Sequence, residues 1–512
     1  MTSGATLYRS ILIYGICLPL AMFLGYMLAM PLDLSSVGFF FLVIGVLVLP
    51  VVLRWHYPLM FIFWNTALVL PFLPGRPQAY IAFIGLSFLV AIVTRTMNKR
   101  MRFLTVPSVV ASLVFLGIVI LITAQMNGGI GLRILGGEVI GGKRYVFVFA
   151  AILGYFAITA QRIPPEKAGL YLGLFYLPGL SQAVASLIDY INPAFYWIFM
   201  VFPVERLPGG ETSIARLAGI SVAALCVYRY MLGRYGIRGI FLEGRPWRLA
   251  VFVGTIAVSL AGGYRSYLIL AVMIFCIQFL LEGLLRTRLA LALGLAAVLA
   301  GMIMLPHVDK LPRTIQRTVA FLPVNIDPEV RVNADASSQW RIEMWKTALP
   351  MVPQHLLLGT GYAIDPTALA FSLDIRHRFG ADYQTALLCG DFHNGPLSLL
   401  IPFGIWGGIG FLWFLVASFG VLRRNYRYGD PSLKMVNTYL LAAFIAQTIL
   451  FFFVFGALQS DLMTYAGLVG LSVALNGGVA KPSPAPEPEA AQSEEVRLAA
   501  IQPQARPVLG RR

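Results

Sequence analysis

Long apolar stretches, each bounded by charged residues, glycine or proline, recur along almost the whole chain. Many of them reach the ~17–25 residues that an α-helix needs to cross the hydrocarbon core of a membrane. A spanning segment must satisfy its backbone polar groups internally, so runs of this length predict helices rather than barrel strands. The pattern predicts an all-α polytopic membrane protein with about 12–14 transmembrane helices. The apolar runs cover residues 11–30, 37–53, 58–73, 79–94, 106–124, 145–161, 169–188, 213–232, 249–263, 266–284, 289–305, 396–421, 435–457 and 461–478.

Composition agrees with the apolar pattern. Hydrophobic residues make up 58% of the chain and charged residues only 12%, whereas a soluble domain carries ~25% charged residues. The run Ile11–Met30 is too long for the hydrophobic region of a signal peptide, so it is predicted to be a retained first span. The four cysteines are scattered and form no CxxC pair. Neither a zinc site nor a disulfide framework is therefore indicated.

The net charge of +16 is concentrated in three short segments between the predicted spans. Short loops rich in lysine and arginine remain in the cytoplasm, and all three fall on the same side of the membrane when the spans are counted. The pattern therefore predicts that both termini are cytoplasmic and that residues 306–393 lie outside. The basic charge reflects topology, so nucleic acid is not expected as a partner. The residues concerned are Arg95, Lys99, Arg100 and Arg102; Arg229, Arg234, Arg238, Arg245 and Arg248; and Arg423, Arg424, Arg427 and Lys434.

Four regions follow from this arrangement. Residues 1–305 are predicted to hold the first eleven spans, 306–393 a large external loop, and 394–479 the C-terminal spans. Residues 480–512 are rich in proline, alanine and glutamate and are predicted to be a disordered cytoplasmic tail, because they cannot bury enough apolar surface to fold.

The external loop differs from the rest of the chain. It holds eight lysines and arginines, nine aspartates and glutamates, and four of the five histidines. Long connections of this kind are usually functional. Helical spacing predicts an amphipathic helix over 308–321 lying on the membrane surface. A second helix is predicted over 338–352, with caps among residues 335–337.

Four short motifs follow one another between residues 263 and 408. The first is Gly263-Tyr-Arg265-Ser at a predicted helix end, and the second is Arg341-x-x-x-Trp345-x-x-Ala348. The third is Leu358-Gly-Thr-Gly361, and the fourth is His393-Asn-x-x-Leu397, which is followed by glycines in the next span. The ordered set resembles the O-antigen ligase and O-antigen polymerase superfamily. Gly395-Pro396 departs from that family's usual pattern of a larger residue before an aromatic one.

The resemblance implies a metal-independent glycosyltransferase without a cofactor, located in the bacterial inner membrane and active on its periplasmic side. Its donor would be an undecaprenyl-diphosphate-linked glycan. Its acceptor would be lipid A-core in a ligase, or another glycan repeat in a polymerase of O-antigen or exopolysaccharide.

The residue types in the loop are compatible with that chemistry. Arginine stays charged and donates in pairs to phosphate oxygens, so Arg265 and Arg341 are candidate catalytic residues that would stabilise a leaving diphosphate. Histidine can accept a proton near neutral pH, so His393 is the candidate general base, with Asp391 or Asn394 as orienting partners. Each of the three could instead have a structural role at a helix end or the membrane interface. The candidate substrate-binding residues are Arg313, Arg317, Arg376, Arg378, Trp345 and Asn394.

Two other functions compete with this one. A transporter or lipid-linked oligosaccharide flippase would place ionisable groups near the membrane midplane, whereas here the predicted spans are nearly free of charge. A different transferase with the same kind of donor would be a protein O-oligosaccharyltransferase or a cell-wall polymerase. The sequence does not distinguish the acceptors.

Overall fold

A computed structural model describes residues 34–71, 73, 75–98, 103–131, 140–191, 193–203, 217–379 and 382–482, with nine positions between 15 and 26. The predicted span 11–30 lies mostly outside these ranges, and the predicted disordered tail 480–512 lies almost wholly outside them. The α-helices, numbered in chain order, are α1 Leu34–Arg54, α2 His56–Trp64, α3 Ala79–Met97, α4 Pro107–Met126, α5 Gly142–Ile158, α6 Ala168–Tyr176, α7 Gln182–Ile191, α8 Ala218–Phe241, α9 Pro246–Ala261, α10 Arg265–Leu281, α11 Arg288–Met304, α12 Arg313–Val319, α13 Pro328–Ala348, α14 Met351–Gln354, α15 Pro366–Phe379, α16 Asp382–Leu388, α17 Gly395–Tyr428, α18 Lys434–Phe453 and α19 Leu458–Asn476.

The fold is an all-α polytopic membrane protein, as the apolar pattern predicts. Each predicted span from 37–53 onward overlaps a described helix. Among the described residues, six helical stretches are long and apolar enough to cross a membrane, or seven if one bent pair counts as a single span. This is fewer than the 12–14 spans predicted, partly because some apolar runs fold into shorter helices, such as α9 and α10.

The predicted spans 37–53 and 58–73 do not form two straight crossings. Val43–Arg54 and α2 meet at an angle of 98°, and α2 ends after nine residues. Pro71 lies in the remainder of the predicted span and Pro77 just after it, and proline disfavours a helix interior because it lacks the backbone N–H and clashes with the preceding turn.

The prediction that residues from Arg229 to Arg248 form a loop is also wrong in part. Helix α8 continues to Phe241, so Arg229, Arg234 and Arg238 lie within a helix. The helix bends at Gly236, where φ is 65°. The backbone N–H of Ile237 donates to the Glu282 carboxylate at 2.8 Å, which satisfies a donor that the bend frees.

The long helix α17 is broken near its loop-side end, at Pro402 and Gly404. The backbone of Gly404 has φ 61° and ψ −161°, which is not helical. The Leu358-Gly-Thr-Gly361 motif fills this break: Thr360 N–H donates to the Ile401 carbonyl at 3.0 Å, and Gly361 N–H donates to the Pro402 carbonyl at 2.8 Å. Irregular backbone is tolerated at membrane depth only where protein satisfies its polar groups. We call residues 358–361 the plug of α17, because their backbone N–H groups donate to the carbonyl groups at the break.

We expect Gly359→Ala to destabilise the protein by roughly 1–3 kcal/mol. Gly359 has φ 68°, and an added Cβ would lie 2.3 Å from the Pro402 carbonyl oxygen. The measurement is the thermal unfolding midpoint of the purified protein in detergent. Gly420→Ala is the matched control on α17, because a Cβ there meets nothing within 4 Å. Equal midpoints for the two variants would contradict the plug.

The loop helices pack onto the membrane helices more closely than predicted. The predicted helix 308–321 is interrupted, because Leu311 precedes Pro312 and has an extended backbone with ψ 158°. A 3-10 turn, Leu305–Lys310, comes before the break and α12 comes after it. Thr318 is fully buried, and its hydroxyl donates to the Leu260 carbonyl at the end of α9 at 3.2 Å.

The second loop helix, α13, begins ten residues earlier than predicted. Its N-cap is Asp327, whose carboxylate accepts from the Glu329 N–H at 2.9 Å, so residues 335–337 are not caps. Polar residues in the first half of α13 obscure its helical pattern. That half is stabilised by tertiary packing, because Val330 and Ala334 are buried in a cluster with Ile326. One helix of 21 residues consequently runs across the loop face, by which we mean the side of the membrane that carries 306–393.

Candidate active site on the loop face

His393 lies immediately before α17, in a backbone conformation that few side chains adopt. Its φ is 51°, and a non-glycine residue in the left-handed region is strained. The imidazole packs edge-on between two aromatic rings, with centroid distances of 5.3 Å to Trp340 and 5.2 Å to Phe455. Only 25% of the side chain is exposed. The ring is therefore held in one orientation.

The Nδ1 atom of His393 faces Asp391. It lies 3.1 Å from the Asp391 carbonyl oxygen and 3.3 Å from a carboxylate oxygen of the same residue. An N–H on Nδ1 that donates to these acceptors leaves Nε2 as the proton-accepting nitrogen. Of the two orienting partners considered from the sequence, Asp391 is the one that contacts the ring.

Asn394 caps helix α17. Its side-chain oxygen accepts from the Leu397 N–H at 3.1 Å, which satisfies one of the free donors at a helix start. Leu397 itself is buried with Phe392, Ile401 and Ala348. In the His-Asn-x-x-Leu motif, His393 thus forms a turn, Asn394 caps the helix, and Leu397 is buried.

Trp345 holds the segment that carries His393. Its indole N–H donates to the Phe392 carbonyl at 2.8 Å, one residue before the histidine. The structure therefore gives this candidate substrate-binding residue a protein acceptor and a supporting position on α13.

We expect Trp345→Phe to lower both stability and any activity that depends on His393. The side chain stays aromatic but becomes smaller, and the Phe392 carbonyl loses its donor, at a cost of roughly 1–3 kcal/mol. The matched control is Trp340→Phe, since the buried Nε1 of Trp340 has no hydrogen-bond partner. Thermal unfolding of both variants in detergent measures the difference. A midpoint that falls as much in the control would show that ring size, not the hydrogen bond, is responsible.

Arg265 and Arg341 are both associated with α13. Arg265 begins α10, as the Gly-Tyr-Arg-Ser motif predicts, and its Nη2 donates to the Ala334 carbonyl at 3.1 Å. Arg341 is half-buried and follows Trp340, which contacts His393. Residues 334 and 341 are seven positions apart, which places them on the same side of the helix and roughly 10 Å apart along its axis. Three turns of α13 therefore hold all three candidate groups: Arg265 contacts Ala334, Arg341 belongs to the helix, and His393 contacts Trp340.

The remaining candidate arginines are placed differently. Arg317 is only 4% exposed and donates to the Gly263 carbonyl at 3.1 Å and to Asn333 at 2.8 Å, so it ties the start of α10 to α13. Arg313 is 55% exposed and forms ion pairs with Asp327 and Glu329. Arg376 and Arg378 belong to the last part of α15, and their side chains lie outside what the structure describes.

Residues 249–412 match the O-antigen ligase family model. The matched segment contains all four sequence motifs and the described site residues of the loop, so the resemblance to the O-antigen ligase superfamily is confirmed. It covers roughly a third of the chain. The match supports a membrane glycosyltransferase role in surface polysaccharide assembly, with a lipid-linked glycan as donor and a glycan or lipid as acceptor. A search of curated proteins found no significant match.

The sequence did not predict that residues outside 249–412 contribute to the site. The start of α5 docks onto the turn that plugs α17: Ile140 and Ile364 exchange backbone hydrogen bonds of 2.9 and 2.7 Å. The Tyr362 N–H donates to the Tyr145 hydroxyl at 2.7 Å. These partners are more than two hundred residues apart in the sequence. The apolar run that begins at 145 gave no signal of the contact, because hydropathy reports only on neighbouring positions.

Within the described ranges, no group of three or more histidine, cysteine, aspartate or glutamate side chains is placed to hold a metal ion. The described site is thus made of one imidazole, guanidinium groups and aromatic rings.

Proposed function

We propose that the protein transfers a glycan from undecaprenyl diphosphate to lipid A-core or to another glycan repeat, on the periplasmic side of the inner membrane. The observation that carries this proposal is the fixed imidazole of His393, packed against Trp340 of α13, the residue before Arg341, and inside the O-antigen ligase segment. Transfer from a lipid diphosphate needs a base for the acceptor hydroxyl and positive charge for the leaving group, and these side chains supply both.

The reaction is a single displacement. Nε2 of His393 accepts the proton of the acceptor hydroxyl as the hydroxyl oxygen attacks the anomeric carbon. The bond between that carbon and the diphosphate oxygen breaks, and the electron pair leaves with the diphosphate. Arg265 and Arg341 stabilise the charge that develops there. Attack opposite the leaving group inverts the anomeric configuration, and the proton on His393 passes to solvent.

Membrane orientation is part of the proposal. With both termini in the cytoplasm, the loop face is periplasmic, where a lipid-linked glycan meets its acceptor. Tags at the two termini and a cysteine introduced at exposed Lys346 test this orientation by labelling in intact cells with a reagent that does not cross the inner membrane. Labelling of position 346 with protected termini is the expected result.

Deletion of the gene in its host tests the function. Lipopolysaccharide on a gel is expected to lose its long chains. A missing ligase leaves polymer attached to the lipid carrier, whereas a missing polymerase leaves core capped by one repeat unit. If neither lipopolysaccharide nor any other surface glycan changes, the proposal is wrong.

A further inference from the structure

Arg144, in the first turn of α5, lies outside the O-antigen ligase segment yet reaches the site. Its guanidinium carbon is 5.7 Å from the centroid of the Tyr362 ring. On another side it faces the chain just before His393, because a Cβ added at Gly390 would be 3.2 Å from Nη1 of Arg144. His393 follows Gly390 by three residues, a distance of at most roughly 11 Å.

The position of Arg144 is set by the backbone. The neighbouring Tyr145 is fully buried, and its hydroxyl accepts a hydrogen bond from the Tyr362 N–H. Ile140 forms two backbone hydrogen bonds with Ile364. These contacts hold the first turn of α5 against the turn that plugs α17. The same segment carries Cys389: burial raises the pKa of its thiol, the positive charge of Arg144 lowers it, and the Asp391 carboxylate raises it.

The guanidinium of Arg144 forms no ion pair with a carboxylate among the residues that the structure describes. Within these described residues its side chain makes no hydrogen bond either, and it lies over the face of Tyr362 and beside Gly390. Arg313, by contrast, forms an ion pair with Asp327, and Arg317 donates to the Asn333 side chain. Arg144 is half-buried, and none of the described residues accepts from its five N–H donors. A guanidinium in this state can donate two parallel hydrogen bonds to one oxyanion.

We propose that Arg144 binds an anionic group, phosphate or carboxylate, on a substrate held beside His393. The inference rests on the proposed glycan transfer. Two substrates could supply the anion: the diphosphate of the donor, or an acidic group on the acceptor. Arg144 lies beside the 389–393 segment that leads to the histidine, whereas Arg265 contacts α13 and Arg341 belongs to α13. Arg144 is thus a third arginine of the site, and the one that does not come from the family motifs.

The test uses the purified full-length protein in liposomes, with an undecaprenyl-diphosphate-linked glycan and a phosphorylated or dephosphorylated acceptor. Arg144→Gln is expected to raise the KM of one substrate at least tenfold and to change kcat less than threefold. Arg144→Lys keeps the charge but not the paired donors, so its KM should lie between those of Arg144→Gln and the wild type. Lys143→Gln is the matched control: it removes the same charge from an exposed neighbour, and both KM values should stay within twofold.

The substrate affected identifies the source of the anion. A higher KM for the donor assigns the diphosphate, while a higher KM for the phosphorylated acceptor alone assigns the acceptor. The inference is overturned if Arg144→Gln leaves both KM values within twofold, or if only kcat and thermal stability fall. Should Arg144→Gln fail to fold, Arg144→Lys decides on the same criterion.

A binding measurement separates this inference from the proposed function. If the wild type transfers nothing, the proposed function fails. Calorimetric titration with undecaprenyl diphosphate and with the phosphorylated acceptor then tests Arg144 directly. Weaker binding of either probe to Arg144→Gln supports the anion site, and equal binding of both contradicts it.

Discussion

Replacing His393 by asparagine is expected to lower the rate of glycan transfer by roughly 10²–10⁴-fold, the usual contribution of a general base. Asparagine is chosen because it tolerates a left-handed backbone, and His393 has φ 51°. Its amide can also replace the Nδ1 contact with Asp391, which lies 3.1 Å from the ring. Nε2 is then the group that is lost. The measurement is kcat with the purified protein and a lipid-linked donor.

His393→Gln complements that variant, because its amide reaches the place of Nε2 but cannot accept a proton at neutral pH. It should be as inactive as His393→Asn. His355→Asn is the matched control in the same loop and should retain wild-type kcat. If His393→Asn keeps more than a tenth of wild-type kcat while its melting temperature is unchanged, His393 is not the base.

Arg341→Gln is the second variant with a large expected effect. Loss of a positioned donor that stabilises developing charge lowers kcat by roughly 10²–10³-fold. The half-buried position of Arg341 next to Trp340 strengthens its electrostatic effect, because water screens it less. Arg341→Lys should recover only part of the rate, since an ammonium group cannot donate in the planar, paired geometry of a guanidinium.

Lys346→Gln is the control for this charge, because Lys346 is an exposed residue on the same helix. Its kcat should change less than twofold. A kcat for Arg341→Gln within threefold of the wild type, or an equal loss in Lys346→Gln, would remove Arg341 from the mechanism and leave general surface charge as the explanation.

The sequence predicted the features that depend on local pattern. Apolar runs long enough to span a membrane predicted the all-α polytopic fold. Arg265 was expected at a helix end, and it is the first residue of α10. The His-Asn-x-x-Leu motif was expected where the loop re-enters the membrane, and Asn394 caps α17 there. These positions could be read from neighbouring residues because helix ends and spans are local features.

What the sequence did not predict depends on contacts between distant residues. The break in α17 is compatible with the fold because Thr360 and Gly361 donate to carbonyls some forty residues away. Helix α13 extends back to residue 328 because Val330 and Ala334 are buried against Ile326. Arg144 reaches the site because Ile140 pairs with Ile364. Hydropathy and helix propensity carry no information on such pairings, so tertiary packing overrides the local pattern.

Helix α13 organises the described site. One end carries the carbonyl of Ala334 that accepts from Arg265, and the other carries Trp345, which fixes the backbone before His393. Arg341 lies between them on the same helix. A helix is a rigid support, so it keeps these groups at set distances, as a catalytic constellation requires.

In the proposed reaction, His393 removes the proton from an acceptor that displaces a lipid diphosphate directly. The most direct measurement uses the purified protein in liposomes with an undecaprenyl-diphosphate-linked glycan of known anomeric configuration, followed by NMR of the product linkage. We expect release of undecaprenyl diphosphate, an inverted linkage from the wild type, and product formation by His393→Asn that is roughly 10²–10⁴-fold slower. A retained configuration, or the same product from His393→Asn at a comparable rate, would contradict it.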